Sequence, residues 1–164
     1  MSEKVRLAGD PVLRAPCKKF DLNDLEYSDK LLSKMYETMT AEKGIGLAAN
    51  QIGESVQVFI LKDGDSYKEY INPEITGQSD LVSFEGEACL SIPGASATTK
   101  RFKQVKLAWT DRNGINIEGS FEDINAFAVQ HEMDHLNGKL YIDQFGPVKR
   151  DLVLTKHRKY LKGY

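Results

Sequence analysis

The stretch QHEMDHLNGKLY, Gln130–Tyr141, contains HExxH in the form of His131, Glu132 and His135. Residues four apart share one face of a helix, so both imidazoles can converge on a single ion at about 2.0–2.1 Å. Glu132 is rotated by about 100° around the helix axis from His131, which places its carboxylate beside such an ion rather than on it. The flanking pattern supports a helix from Ile124 to Asn137. Ile124, Phe127, Ala128, His131 and His135 follow one face, and Gly138 supplies a left-handed stop. The motif is short, however, and two ordinary histidines with a chance carboxylate between them fit it equally well.

Working outward from that helix, the rest of the chain reads as α+β. Asn23 or Asp24 is placed to cap a helix whose apolar residues Leu31, Leu32, Met35, Tyr36 and Met39 recur at spacings of three and four, ending before Gly44. Val56–Leu61 reads as a mostly buried strand and Tyr67–Asn72 as a second that stops at Pro73. Val105–Thr110 and Ile115–Phe121 form a hairpin around Asp111–Gly114, where Asn113 and Gly114 tolerate positive φ. Pro147 restarts the chain into a short C-terminal amphipathic helix carrying Val148, Leu152 and Leu161. Strands therefore group between helices rather than alternating with them, and mixed or antiparallel sheets packed around a central HExxH helix are expected. No repeat or linker divides the 164 residues, so a single domain over 1–164 is expected.

Composition removes several function classes. A formal net charge of -2 provides no basic field for duplex nucleic acid. No run approaches the roughly 18 apolar residues of a membrane span. The start, MSEKVRLAGDPVLRAP, lacks the apolar core of a signal peptide, so the expected location is the cytoplasm. In that reducing setting Cys17 and Cys89 are expected to remain thiols.

A catalytic site of this type needs three protein ligands and one open position. Downstream, the chain approaches HExxHxxGxxH, since Gly138 is in place, but the last position is Tyr141. No Glu follows Glu132, and Met133 is the last methionine. Asp143 and His157 stand at no defensible spacing. Upstream, Cys89 in EGEACLSIPG is the strongest candidate, because a thiolate with two imidazoles and water makes a four-coordinate site. A small buried hydrophobe is the commoner role for a free cysteine, and composition alone favours it.

Three segments change that weighing: GIGLAANQ (Gly44–Gln51), EACLS (Glu87–Ser91) and QHEMDHLNG (Gln130–Gly138). In this order they resemble the three motifs of the peptide deformylases, which remove the formyl group from nascent proteins. DPVLR (Asp10–Arg14) and INP (Ile71–Pro73) extend the likeness over most of the chain.

The resemblance implies Cys89, His131 and His135 as metal ligands and Glu132 as the group that moves protons. It also implies the Gln51 side-chain amide and the Leu90 backbone N–H as donors to the oxyanion. Fe2+ is the implied ion, with Zn2+, Ni2+ or Co2+ able to occupy the same ligands. An extended N-formylmethionyl peptide would lie along Ile45 and Gly46, with its first side chain in an apolar pocket for which Ile45, Phe127 and Ala128 are the wall candidates. Glu87 is expected to accept from a ligand histidine or to pair with Arg101, and Asp134 to hold the helix through a basic partner. His157 and Cys17 are read as structural.

Two departures matter. Where the family motif reads EGCLS this chain has Ala88, which weakens binding modestly if the glycine serves close packing and adds strain if it holds positive φ. The C-terminal segment looks short beside bacterial members in which it helps dock on the ribosome. With Lys149, Arg150, Lys156, Arg158, Lys159 and Lys162 against Asp151, it suits a ribosomal surface or, more commonly, a solvated helix face. The competing functions are an HExxH zinc endopeptidase, disfavoured by the missing downstream ligand, and a non-catalytic formyl-peptide binder.

Overall fold

The computed structural model describes residues 2–163. Three helices and seven strands alternate in blocks: α1 (Leu25–Ala41), β1 (Gly46–Ala48), β2 (Val58–Asp63), β3 (Ser66–Gln78), β4 (Leu81–Glu87), β5 (Ala97–Phe102), β6 (Gln104–Thr110), β7 (Asn116–Glu122), α2 (Asp123–Leu136) and α3 (Pro147–Leu161). Five strands form a sheet in the order β1-β2-β3-β6-β7, and β4 pairs with β5 alone. Every strand pair is antiparallel, with one isolated parallel bridge between Lys18 and Val56.

The larger sheet is covered on both faces, and the two-residue period of β2 shows how. Val58 and Ile60 join Leu31, Leu32, Met35 and Met39 of α1 in one core, while Phe59 and Leu61 join Ala126, Val129 and Leu136 of α2 in the other. Each such side chain contributes about 1.5–3 kcal/mol on burial, which fixes the register, since a slip by one residue would exchange the two cores. A third core gathers Cys89, Ile92, Leu140, Tyr141, Ile142, Phe145 and Val153 beneath α3.

Asp24 caps α1 by accepting from Tyr27 N–H at 3.0 Å. The strand expected to stop at Pro73 instead runs on to Gln78. It does so by bulging: Asn72 has φ 49, the register with β6 shifts between Ile71 and Glu74, and the missing proline N–H falls in the irregularity. Asn72 uses its side chain to bind Phe20 N–H and C=O at 2.7 and 3.0 Å. The strand expected from Val56 begins two residues later, after the Lys18 bridge. In the β6–β7 turn only Gly114 takes positive φ, while Asp111 accepts from Asn113 and Ile115 N–H.

The C-terminal helix also differs from expectation. At 15 residues it is as long as its neighbours, and Val148, Leu152 and Leu161 point outward at 51–77% exposure. Its buried face is Val153 and His157. No helix among the described residues is long and apolar enough to cross a membrane.

Candidate metal centre

Helix α2 carries His131, Glu132 and His135 across the sheet, and the turn after β4 brings Cys89 to meet them. Cys89 Sγ and His131 Nε2 each lie 3.3 Å from His135 Nε2, and the three ligand atoms fall within 4.8 Å of one another. Tetrahedral sites with metal–nitrogen distances near 2.0–2.1 Å and metal–sulfur near 2.3 Å have ligand–ligand edges of about 3.3–3.6 Å, so the observed spacing fits one ion. The protonation pattern agrees. Burial, reinforced by positive His131, holds His135 well below its ordinary value, whereas for His131 burial is outweighed by Cys89 and Glu87 and the value rises. His135 is thus held neutral, the form in which an imidazole accepts a cation, while His131 keeps a proton that a bound cation would displace.

A charged relay stands behind His131. Its Nδ1 lies 2.7 Å from Glu87 Oε2, Arg101 grips both Glu87 oxygens at 2.5 and 2.9 Å, and Arg101 also reaches Asp134 at 2.7 Å. Thr99 adds an O–H to Glu87 at 2.6 Å. Burial pushes the Glu87 carboxyl up, but the bonds from His131 and Arg101 prevail and bring it down to about 2, so it stays anionic. Glu87 therefore makes both of its expected contacts, and Asp134 finds its basic partner in Arg101.

Glu132 is the opposite case. It is buried, its Oε1 has no partner, and burial lifts its carboxyl to about 7, with His131 opposing and Glu87 adding to the rise. Gly46 makes room for it: a Cβ there would stand 2.6 Å from Glu132 Oε2 and 2.9 Å from Leu61 Cδ2. Gln51 is fixed by its own amide, with Oε1 accepting from Ala48 N–H at 2.9 Å and Nε2 donating to Ser91 Oγ at 3.1 Å and toward Cys89 Sγ at 3.7 Å. Asn50 donates to the His135 carbonyl at 2.7 Å and so ties the GIGLAANQ segment to α2.

A cavity of about 450 Å³ opens over this group. Cys89, His131, Glu132, Gln51 and Leu90 line it, together with the wall candidates Ile45, Phe127 and Ala128 and with Gly46, expected beside the peptide. Phe84 and Ile124 also line it and were not expected there. Phe84 stacks on Phe127 with ring centroids 4.7 Å apart. It lies on β4, whose partner β5 buries Thr99 and Arg101, so no apolar alternation announces the pair. Ala88 is exposed at the cavity wall and is not among the residues with positive φ, a conformation taken instead by Gly86. The alanine therefore adds no backbone strain and changes only the surface of the cleft.

The sequence and the fold recur in known proteins. A sequence model described as polypeptide deformylase matches residues 2–151. A peptide deformylase of Pseudothermotoga lettingae is 41% identical over 156 residues, spanning 95% of this chain and 90% of the relative. One from Bartonella henselae is 39% identical over 158 residues, spanning 93% and 89%. Among solved structures, a peptide deformylase from Legionella pneumophila superposes with a TM-score of 0.93 at 33% identity, covering 99% of this chain and 96% of that one. Another, from Synechococcus elongatus in complex with actinonin, gives 0.86 at 34% identity over 93% and 84%. With both sequence and architecture shared over nearly its whole length, the chain belongs to the polypeptide deformylase family.

Proposed function

We propose that residues 1–164 act as one catalytic domain in which Cys89, His131 and His135 hold the working metal of a deformylase, Glu132 moves the proton, and Gln51 with the Leu90 N–H receives the oxyanion. The activity is metal-dependent hydrolysis of the formyl amide of nascent peptides, releasing formate. The observation that carries the assignment is the convergence of one cysteine sulfur and two imidazoles, at 3.3 Å spacings, beneath a buried carboxyl whose Oε1 has no partner.

A divalent ion held by these residues would supply an acidified water and Lewis acidity. Two imidazoles and a thiolate suit several ions, and the family likeness favours Fe2+, with Zn2+, Ni2+ or Co2+ as substitutes. Glu132, poised at about 7, takes the proton of the attacking water and returns it to the departing amine, a role worth about 10²–10⁴ in rate. Gln51 donates from Nε2, which is oriented in advance because Ala48 holds the other end of the amide. A missing donor of this kind costs about 3–4 kcal/mol in the transition state.

The substrate reading follows from the cleft. β1 pairs with β2 alone and so offers an open edge to an extended peptide. Phe127 and Ala128, with Ile45 at the rim, wall an apolar pocket for the formylmethionine side chain. We place the reaction in the cytoplasm, with the basic outer face of α3 as a candidate contact to the ribosome.

The test is formate release from formyl-Met-Ala-Ser by protein purified anaerobically with Fe2+. Fast release by the parent and little by Glu132→Ala or Cys89→Ser is expected. A folded, metal-loaded parent that releases no formate would overturn the reading, and cleavage of internal peptide bonds regardless of the formyl group would favour the endopeptidase.

A further inference from the structure

Helix α3 is built into the wall of the cleft. His157, only 4% exposed, donates its Nδ1–H to the Pro93 carbonyl at 2.9 Å. Pro93, Gly94 and Ala95 line the same cavity as Cys89 and Glu132. Three residues further along the helix, Tyr160 covers Gly94 so closely that a Cβ on that glycine would stand 2.2 Å from Tyr160 Cβ. One turn earlier, Val153 is buried in the core that contains Cys89 and Ile92. Val153, His157 and Tyr160 fall on one stripe of the helix. At the helix start, Lys149 reaches the Thr98 carbonyl at 3.4 Å. The whole stripe thus bears on the segment that runs from the metal ligand Cys89 to β5.

That segment is a turn, outside any strand ladder. Ala8 N–H to the Ser91 carbonyl and Ile92 N–H to the Cys89 carbonyl hold its first residues at 2.8 and 2.9 Å, whereas Pro93, which offers a carbonyl but no N–H, is held through that one acceptor. His157 satisfies it from a buried position. We infer that His157 is a positioning residue for deformylation, fixing the Pro93–Gly94 wall of the cleft and thereby setting affinity for the formyl-peptide while leaving the chemical step to the metal centre. The inference rests on the reading of this cavity as the substrate site.

The experiment is steady-state formate release from formyl-Met-Ala-Ser by metal-loaded parent, His157→Leu, His157→Asn, Tyr160→Ala and Phe127→Ala, with melting temperature and metal content measured alongside. Loss of one buried hydrogen bond predicts that His157→Leu raises KM about three- to tenfold while kcat stays within about twofold. His157→Asn, whose amide nitrogen falls near the position of Nδ1, recovers most of the loss. Tyr160→Ala, at a position 55% exposed, shifts KM the same way by less and decides the matter if the His157 variants fail to fold. The inference fails if His157→Leu keeps the parent KM. It also fails if kcat falls with metal content at unchanged KM, or if Asn does no better than Leu. A parent without activity, or a Phe127→Ala protein with unaltered KM, would overturn the substrate cleft itself and this inference with it.

Discussion

α1 and α2 press on opposite faces of the same five-stranded sheet, and they bury different chemistry. The inward side of α1 is Leu31, Leu32, Met35 and Met39, with Thr38 satisfied by Glu3 N–H at 2.8 Å. The inward side of α2 includes Gln130, Glu132 and His135. Gln130 is fully engaged, accepting from Phe102 N–H and donating to the carbonyls of Phe102 and Ala126 at 2.8–3.0 Å. Glu132 Oε1 and His135 Nδ1 have no partner. A buried polar atom normally finds one, because going without costs about 1–3 kcal/mol. Gln130 therefore reads as architecture, and Glu132 as a group whose partner arrives with the reaction. The difference separates scaffold from chemistry within two helices that look alike in outline.

The strongest way to break this distinction is the pair Glu132→Ala and Met35→Ala. The first is expected to lower kcat by about 10²–10⁴ while the melting temperature holds or rises, because an unsatisfied carboxyl is removed. The second is expected to cost about 2–5 kcal/mol in denaturant unfolding, with formate release per folded molecule unchanged. If Glu132→Ala instead unfolded the protein, the carboxylate would belong to the scaffold.

Arg101→Leu probes the join between the two roles. It leaves Glu87 buried at 1% exposure with no counter-ion but His131. Breaking such a pair costs about 3–5 kcal/mol, and a disturbed partner of a ligand histidine weakens metal binding by about 10–100-fold. Chelator titration followed by metal analysis should show both, with stability restored in part by excess ion, since binding to the folded state adds stability. A variant that lost stability but kept the parent's metal affinity would detach the Glu87–Arg101 pair from the centre.

How much of this was legible in the sequence follows the same division. Helical periodicity located α1 and α2 to within a residue or two, but only the α1 stripe faces the sheet: in α2 the stripe of Ile124, Phe127, Ala128 and His131 lines the cavity, and Ala126, Val129 and Leu136 pack on the strands. The ligand-type residues were visible because HExxH repeats at one helical turn and the three motifs are specific. The β4–β5 pair escaped because its inward residues on β5 are Thr99 and Arg101, so the strand buries polarity for the sake of Glu87. Phe84 was lost with it. Pro73 misled because a bulge with Asn72 at positive φ absorbs a residue that would otherwise end the strand. In α3 the apolar residues Val148, Leu152 and Leu161 lie on the solvent face, while the buried one is Val153 with a histidine, His157. Hydropathy ranks residues by type, and in this fold several decisive contacts are polar groups turned inward to serve another polar group.

The smallest expected effect sharpens the comparison most. Asp24 caps α1 through its side chain, whereas the N-terminus of α2 has no side-chain cap, and neighbouring elements hold it instead. Asp24→Ala should cost about 1 kcal/mol of stability, read as a lower denaturant midpoint. It should leave KM and kcat unchanged if α1 is scaffold alone. The result is not foregone, because α1 ends at Ala41 and hands the chain through Lys43, at φ 56, to Gly44 and Ile45 on the cleft rim. A helix that frays from its first turn should not reach that rim, beyond the far end of its 17 residues, if the tight packing of Met35 and Met39 isolates its two ends. A change in KM for Asp24→Ala would mean that α1 transmits, and that the cleft depends on both faces of the sheet.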